Sequence, residues 1–251
     1  MPKLQRNSVF ITFAFLFMSF VLSSYSVTKK ETLTFESADG LQVTADEYII
    51  GKDNPYILLF HEQGSSRGEF ETIARKLCKM DYNCLAVDMR NGGNDNFISN
   101  ETVKRCQAIK CPTDLSGLEK DMLAAIEYAF GRSNQPVILF GSMANGSLSL
   151  KVATENNHVR AVVAFSPGEY FLPELSIQDT IAALKKPTFV TSSLSELPYV
   201  IQLVSAVEED YLTIFEPKLG EGGRGSASLG TENENYSEYW LALLLFFKDL
   251  V

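Results

Sequence analysis

From Thr28 onward, short uninterrupted apolar runs alternate with amphipathic stretches, and no other feature of the chain limits its fold so strongly. Residues 56–61, 84–88, 137–141, 159–165, 188–192 and 212–215 form such runs, rich in β-branched or aromatic side chains. Continuous apolar runs of this length suit strands covered on both faces, the environment of a parallel sheet. Between two of them, Leu118, Met122, Ala125, Ile126, Ala129 and Phe130 recur at three- and four-residue spacings, which predicts a helix with one buried stripe and Gly131 as its stop. Residues 70–80, 148–155, 199–207 and 239–250 read as helices in the same way. Ahead of this series, 32–37 and 41–49 alternate around Asp39-Gly40, a hairpin signal. The whole predicts an α/β fold: a mostly parallel central sheet with an N-terminal antiparallel hairpin and helices on both faces. Ligands of such sheets bind at the carboxyl ends of the strands. No repeat, low-complexity tract or linker interrupts residues 27–251, which read as a single domain.

The first residues do not belong to that pattern. Lys3 and Arg6 precede an uncharged apolar run at 9–22, and Ser24 and Ser26 follow at the spacing that a signal peptidase reads. Residues 1–26 are expected to be a signal peptide, and the protein to be exported, periplasmic or extracellular. The apolar run is shorter than the roughly twenty residues a spanning helix needs, so no membrane span is expected in the mature chain. Composition bears on partners: 22 Lys+Arg against 31 Asp+Glu give a net charge of −9, which disfavours binding to nucleic acid.

An even number of cysteines in an exported chain favours disulfides. Local pairing of Cys78 with Cys84 and of Cys106 with Cys111 is the expectation, although four cysteines allow three connectivities. Neither pair has the two-residue spacing of zinc ribbons and the chain has only two histidines, so no metal is expected. Two sequons, Asn100-Glu101-Thr102 and Asn235-Tyr236-Ser237, read as surface turns.

Three predicted strand ends carry candidate chemistry. The first runs Leu58-Leu59-Phe60-His61-Glu62-Gln63-Gly64-Ser65-Ser66-Arg67, the second Val137-Ile138-Leu139-Phe140-Gly141-Ser142-Met143-Ala144-Asn145-Gly146, and the third is Gly222-Gly223-Arg224-Gly225-Ser226. Together with Ala86-Val87-Asp88-Met89-Arg90-Asn91-Gly92, and in this order, they resemble the α/β-hydrolase superfamily, most closely its dienelactone-hydrolase-like and small secreted esterase-like members. The resemblance runs from about Thr32 to the end and implies the α/β-hydrolase fold and carboxylic-ester hydrolysis without a cofactor.

Its catalytic residues do not carry over. In the G-x-S-x-G elbow the serine hydroxyl stands on a sharp strand-to-helix turn. Here Gly141 opens the motif, Met143 stands at the nucleophile position and Asn145 replaces the second glycine. A thioether has no proton to lose. The base position falls on Arg224, whose guanidinium stays protonated and accepts no proton. Glu196 is either a surviving triad acid or a first-turn carboxylate of the helix near Leu197-Pro198. His61 matches the oxyanion-loop histidine, and His158 precedes its strand, away from the carboxyl ends. By resemblance, the amides of Ala144 and of Glu62-Gln63 form an oxyanion hole, with His61 holding the loop. Ser166-Pro167-Gly168-Glu169-Tyr170 is a loop at the same end, and 220–230 is flexible by composition.

These residues predict an exported homologue of ester hydrolases that has lost its triad and binds a small-molecule or anionic ligand, or a partner, at the strand ends. The alternative is an active esterase with a rearranged site, Ser142 acting with His61 or Glu196. A third expectation is a cleft closed by Met143 and Arg224. Met143 itself is expected at positive φ, as residues at such an apex commonly are.

Overall fold

The computed structural model describes residues 28–250; the expected signal peptide, 1–26, lies outside them. Ten strands and seven α-helices follow in chain order. They are β1 (Lys29–Glu36), β2 (Gln42–Ile49), β3 (Tyr56–Phe60), α1 (Glu71–Cys78), β4 (Asn83–Val87), β5 (Asn94–Asp95), β6 (Ile98–Ser99), α2 (Glu101–Ile109), α3 (Leu115–Ser133), β7 (Val137–Ser142), α4 (Met143–Glu155), β8 (Val159–Phe165), α5 (Ile177–Ile181), β9 (Thr188–Thr191), α6 (Leu197–Leu203), β10 (Leu212–Phe215) and α7 (Tyr236–Lys248). Eight strands form one sheet in the order β1-β2-β4-β3-β7-β8-β9-β10, antiparallel at β1·β2 and β2·β4 and parallel throughout the rest.

The apolar runs are strands because each is covered twice. On one face Leu58, Phe60, Leu139 and Val162 pack with Met122 and Ile126 of α3 and Leu148 and Val152 of α4. On the other, Ile57, Leu59, Ile138, Phe140 and Phe189 pack with Leu77 of α1 and Leu243 and Phe246 of α7. The last run is an exception: β10 is an edge strand with Thr213 and Ile214 exposed.

Register brings the strand ends level. Phe60 pairs with Gly141, Ser142 with Phe165, and Phe165 with Thr191. The residues that follow, His61 and Glu62, Met143, Ser166, and Ser192 and Ser193, therefore emerge side by side at one edge of the sheet.

Two arginines buried at this end tie the loops down. Arg90, fully buried just past β4, forks onto Asp121 of α3 (2.9 and 2.6 Å) and reaches Asp39 of the β1–β2 turn (2.7 Å) and the Pro112 carbonyl (3.2 Å). Arg67 binds Asp88 (2.6 Å) and Asp46 (3.0 Å). Bidentate geometry satisfies charges that would otherwise be costly to bury.

Several expectations need correction. Cys106 and Cys111 form a disulfide, but Cys78 and Cys84 are free buried thiols whose sulfurs donate weakly to the carbonyls of Tyr48 and Ala74. Gly131 does not end α3; the helix continues to Asn134, which takes φ 52° and closes it by donating its amide to the Phe130 carbonyl. Helix α1 is shorter than expected, because residues 67–70 wind as a 3-10 turn capped by Ser66. Both sequon asparagines are buried rather than on surface turns: Asn100 caps α2 through the Val103 amide, and Asn235 precedes α7. Residues 225–229 form a 3-10 turn with Ser226 and Ser228 buried, against the flexibility read from composition.

Replacing Arg90 by Met leaves the buried Asp121 carboxylate without its cationic partner. Urea denaturation is expected to show a loss of about 3–5 kcal/mol.

Candidate functional site

The site is built where β7 turns into α4. Met143 takes φ 55° at the apex, the left-handed conformation that a bulky residue adopts only when its surroundings enforce it. The enforcement is visible in Gly141: a Cβ there would stand 2.5 Å from the Asn145 carbonyl and 2.6 Å from the Gly146 Cα, so the strand end and the first helical turn nearly touch. Asn145, in the place of the motif's second glycine, donates its side-chain amide to the His61 carbonyl at 2.6 Å and so ties α4 to the end of β3. The thioether of Met143 meets the Tyr170 hydroxyl at 3.7 Å.

Arg224 and Glu196 meet beside this apex. The guanidinium Nε stands 2.8 Å from Glu196 Oε1, and Glu196 Oε2 accepts from Ser166 (2.7 Å) and Ser193 (3.2 Å). Glu196 stands at the N-terminal end of α6, where its carboxylate makes no capping bond. Ser166, itself at φ 50°, accepts the Gly225 amide at 2.9 Å and thereby fixes the loop carrying Arg224.

Ser142 is fully buried and its hydroxyl oxygen accepts the Ser226 amide at 3.0 Å. Among the described residues no hydrogen bond joins it to His61 or Glu196, the two partners that a rearranged esterase site requires. His61 is also buried and fully engaged: Nδ1 donates to the Glu62 carbonyl at 2.7 Å, while Nε2 accepts the Met89 amide at 2.9 Å. Burial lowers its pKa to about 4, and a proton on Nε2 would meet the Met89 donor head-on. His158 lies at the opposite end of the sheet, stacked on Phe130 and 3.0 Å from Glu127.

One of the expected oxyanion donors, the Glu62 amide, is engaged within the protein. The Glu62 amide donates to Glu69 Oε2 at 3.0 Å, and the other carboxylate oxygen of Glu69 accepts the Ser226 hydroxyl at 2.5 Å. Desolvation raises the pKa of Glu69 to about 7, against hydrogen bonds from Ser226 and Ser65 that lower it. Ala144 is buried at the start of α4. A cavity of about 560 Å³ opens next to Glu69, between Glu62, Ile73, Asp95, Ser226 and Leu229, and neither Met143 nor Arg224 lines it. Sequence reasoning missed Glu69 and Ser226. Glu69 sits in a 3-10 turn without periodic signal, and Ser226 was read only as part of a small-residue segment.

No family model matches the chain, and no curated protein matches it in sequence. Solved structures similar to it include the dienelactone hydrolase from Anabaena variabilis ATCC 29413, with a TM-score of 0.67 and 15% identity over 88% of this chain and 98% of that one. The Pyrococcus furiosus esterase Pf2001 has a TM-score of 0.67 and 14% identity over 88% and 91% of the two chains. The α/β hydrolase GrgF from Penicillium sp. sh18 has a TM-score of 0.66 and 13% identity over 88% and 98%. The chain has the α/β-hydrolase fold, in its dienelactone-hydrolase-like form. At such low identity the likeness is one of fold.

Two pH effects follow. The unfolded His61 takes up a proton near pH 6.5 and the folded one only near 4, so stability should fall as pH drops through that window, and thermal melts between pH 7 and 4 should register it. Glu69 acts oppositely: unfolded it ionises near 4.5, folded near 7, so its burial costs stability increasingly as pH rises between these values. Glu69→Gln should therefore melt progressively higher relative to the parent from pH 5 to pH 8.

Proposed function

We propose that this is an exported α/β-hydrolase-fold protein whose triad has been converted into a structural ion pair, and that it binds a small molecule beside the former oxyanion site. One observation carries the reading: Glu196 and Arg224, at the acid and base positions of the resemblance, neutralise each other at 2.8 Å next to a methionine apex. An arginine so held accepts no proton, and a thioether offers none. Removing a nucleophile or a base alone costs many powers of ten in rate.

The cavity beside Glu69 has the size of a small-molecule site. Its walls carry Glu62, Glu69, Asp95 and Glu232 against a single cation, Lys76, so the anionic class of ligand fits it less well than a neutral or cationic one. Export rests on the N-terminal sequence pattern, and the Cys106–Cys111 disulfide is in keeping with an oxidising compartment.

The purified protein should neither turn over short p-nitrophenyl esters nor take up a fluorophosphonate. Labelling of any serine, with turnover abolished when that serine is replaced, rejects the reading. The double variant Met143→Ser with Arg224→His supplies a hydroxyl and an imidazole at the vacated positions, and fluorophosphonate labelling at residue 143 is expected to appear.

A further inference from the structure

Helix α7 leaves part of its apolar surface uncovered. Leu243, Phe246 and Phe247 enter the core, whereas Leu241, Leu244 and Leu245 remain 58%, 45% and 54% exposed. At 100° per residue these three leucines share one face with Trp240 and Lys248. The face continues into a groove of about 410 Å³ walled by Met80, Trp240, Tyr236, Lys76 and Lys79. The Lys76 ammonium lies over the Trp240 and Tyr236 rings, 4.7 and 5.3 Å from their centroids. Glu238 flanks the face but is held by the Lys218 amide at 2.7 Å, and Asp249 lies at its far margin.

The chain enters the fold beside this groove. Strand β1 starts at Lys29, and the Lys30 ammonium lies 5.6 Å from the centroid of the Tyr48 ring; the Tyr48 carbonyl accepts from Cys78 in the last turn of α1. Lys30 reaches Glu71 of the same helix at 3.6 Å. The residues that precede Thr28 include the uncharged apolar run at 9–22.

We propose that the face formed by α7 and the end of α1 rests on a phospholipid surface. Exposed leucines, a half-buried tyrosine at the rim and the exposed Lys79 and Lys248 are the components of an interfacial face: apolar side chains enter the acyl boundary, the ring sits at headgroup depth, and lysines meet lipid phosphates; Trp240 is buried beneath it, its indole N–H on the Leu229 carbonyl. Charge favours this occupant over a second copy of the chain. A two-fold self-contact would bring Lys79 and Lys248 toward their own duplicates, whereas anionic headgroups complement them. The protein as a whole carries −9, so an anionic surface repels its other sides and admits it through this one.

Residues 28–250 contain both cores and every contact described above, so the chain beginning at Thr28 serves as the test protein and excludes binding by the apolar segment itself. Co-sedimentation with phosphatidylcholine vesicles, with and without phosphatidylglycerol, should show binding that phosphatidylglycerol strengthens. Replacing Leu241, Leu244 and Leu245 together by Ser should weaken it at least tenfold, since the variant loses the apolar surface that would enter the acyl boundary. All three are solvent-exposed, and an unchanged melting temperature verifies folding. Lys79→Glu with Lys248→Glu should abolish the phosphatidylglycerol effect. No sedimentation of the parent, or equal sedimentation of the triple variant, overturns the proposal. So does a concentration-dependent dimer in analytical ultracentrifugation that the triple substitution dissolves while vesicles remain unbound, which would assign the face to a second copy.

Discussion

The arrangement of loops at the carboxyl edge depends on two arginines taken out of water. Arg90 gathers the β1–β2 turn, α3 and the segment after the disulfide around a single planar cation, and Arg67 does the same for the end of β4 and the middle of β2. Met89, between Asp88 and Arg90 in the chain, gives its amide to His61. With the Glu62 carbonyl at Nδ1, that amide fixes the His61 tautomer and leaves both ring nitrogens satisfied. The loop bearing Glu62 is tied to its surroundings through the Glu62 carbonyl at the His61 ring and its amide on Glu69.

On that frame the turn at Met143 has the geometry of a strand-to-helix elbow. The positive φ of Met143 and the near contact of Gly141 with Gly146 are the features of a turn that lifts a side chain clear of the sheet. Three groups at this end have internal partners: Glu196 has Arg224, Ser142 has the Ser226 amide, and the Glu62 amide has Glu69. The open space at this end lies beside Glu69.

Much of the fold was legible in the sequence because burial on two faces forces continuous apolar runs, and the strand at Val159–Phe165 falls where its run does. Helix α2 escaped notice because only Thr102 and Cys106 are buried along it, so it has no apolar stripe to read. At the site, the substitutions at Met143 and Arg224 could be seen against the motif, but their consequences could not. Which hydroxyl Glu196 accepts and where Glu69 points are set by contacts 30 and 157 residues apart in the chain. The same limit explains the cysteines: even count and local spacing suggested two bridges, yet Cys78 and Cys84 are held as thiols against backbone carbonyls in a packed core.

Asn100 carries a last consequence. Its side-chain amide donates to the Met89 carbonyl at 2.9 Å and approaches the His61 ring at 3.2 Å, with no surface left to solvent. A sugar attached to that nitrogen and a native loop exclude one another. In a secretory pathway that decorates nascent chains, the sequon would compete directly with maturation, and production there would yield misassembled material unless Thr102 were replaced by a residue the transferase ignores.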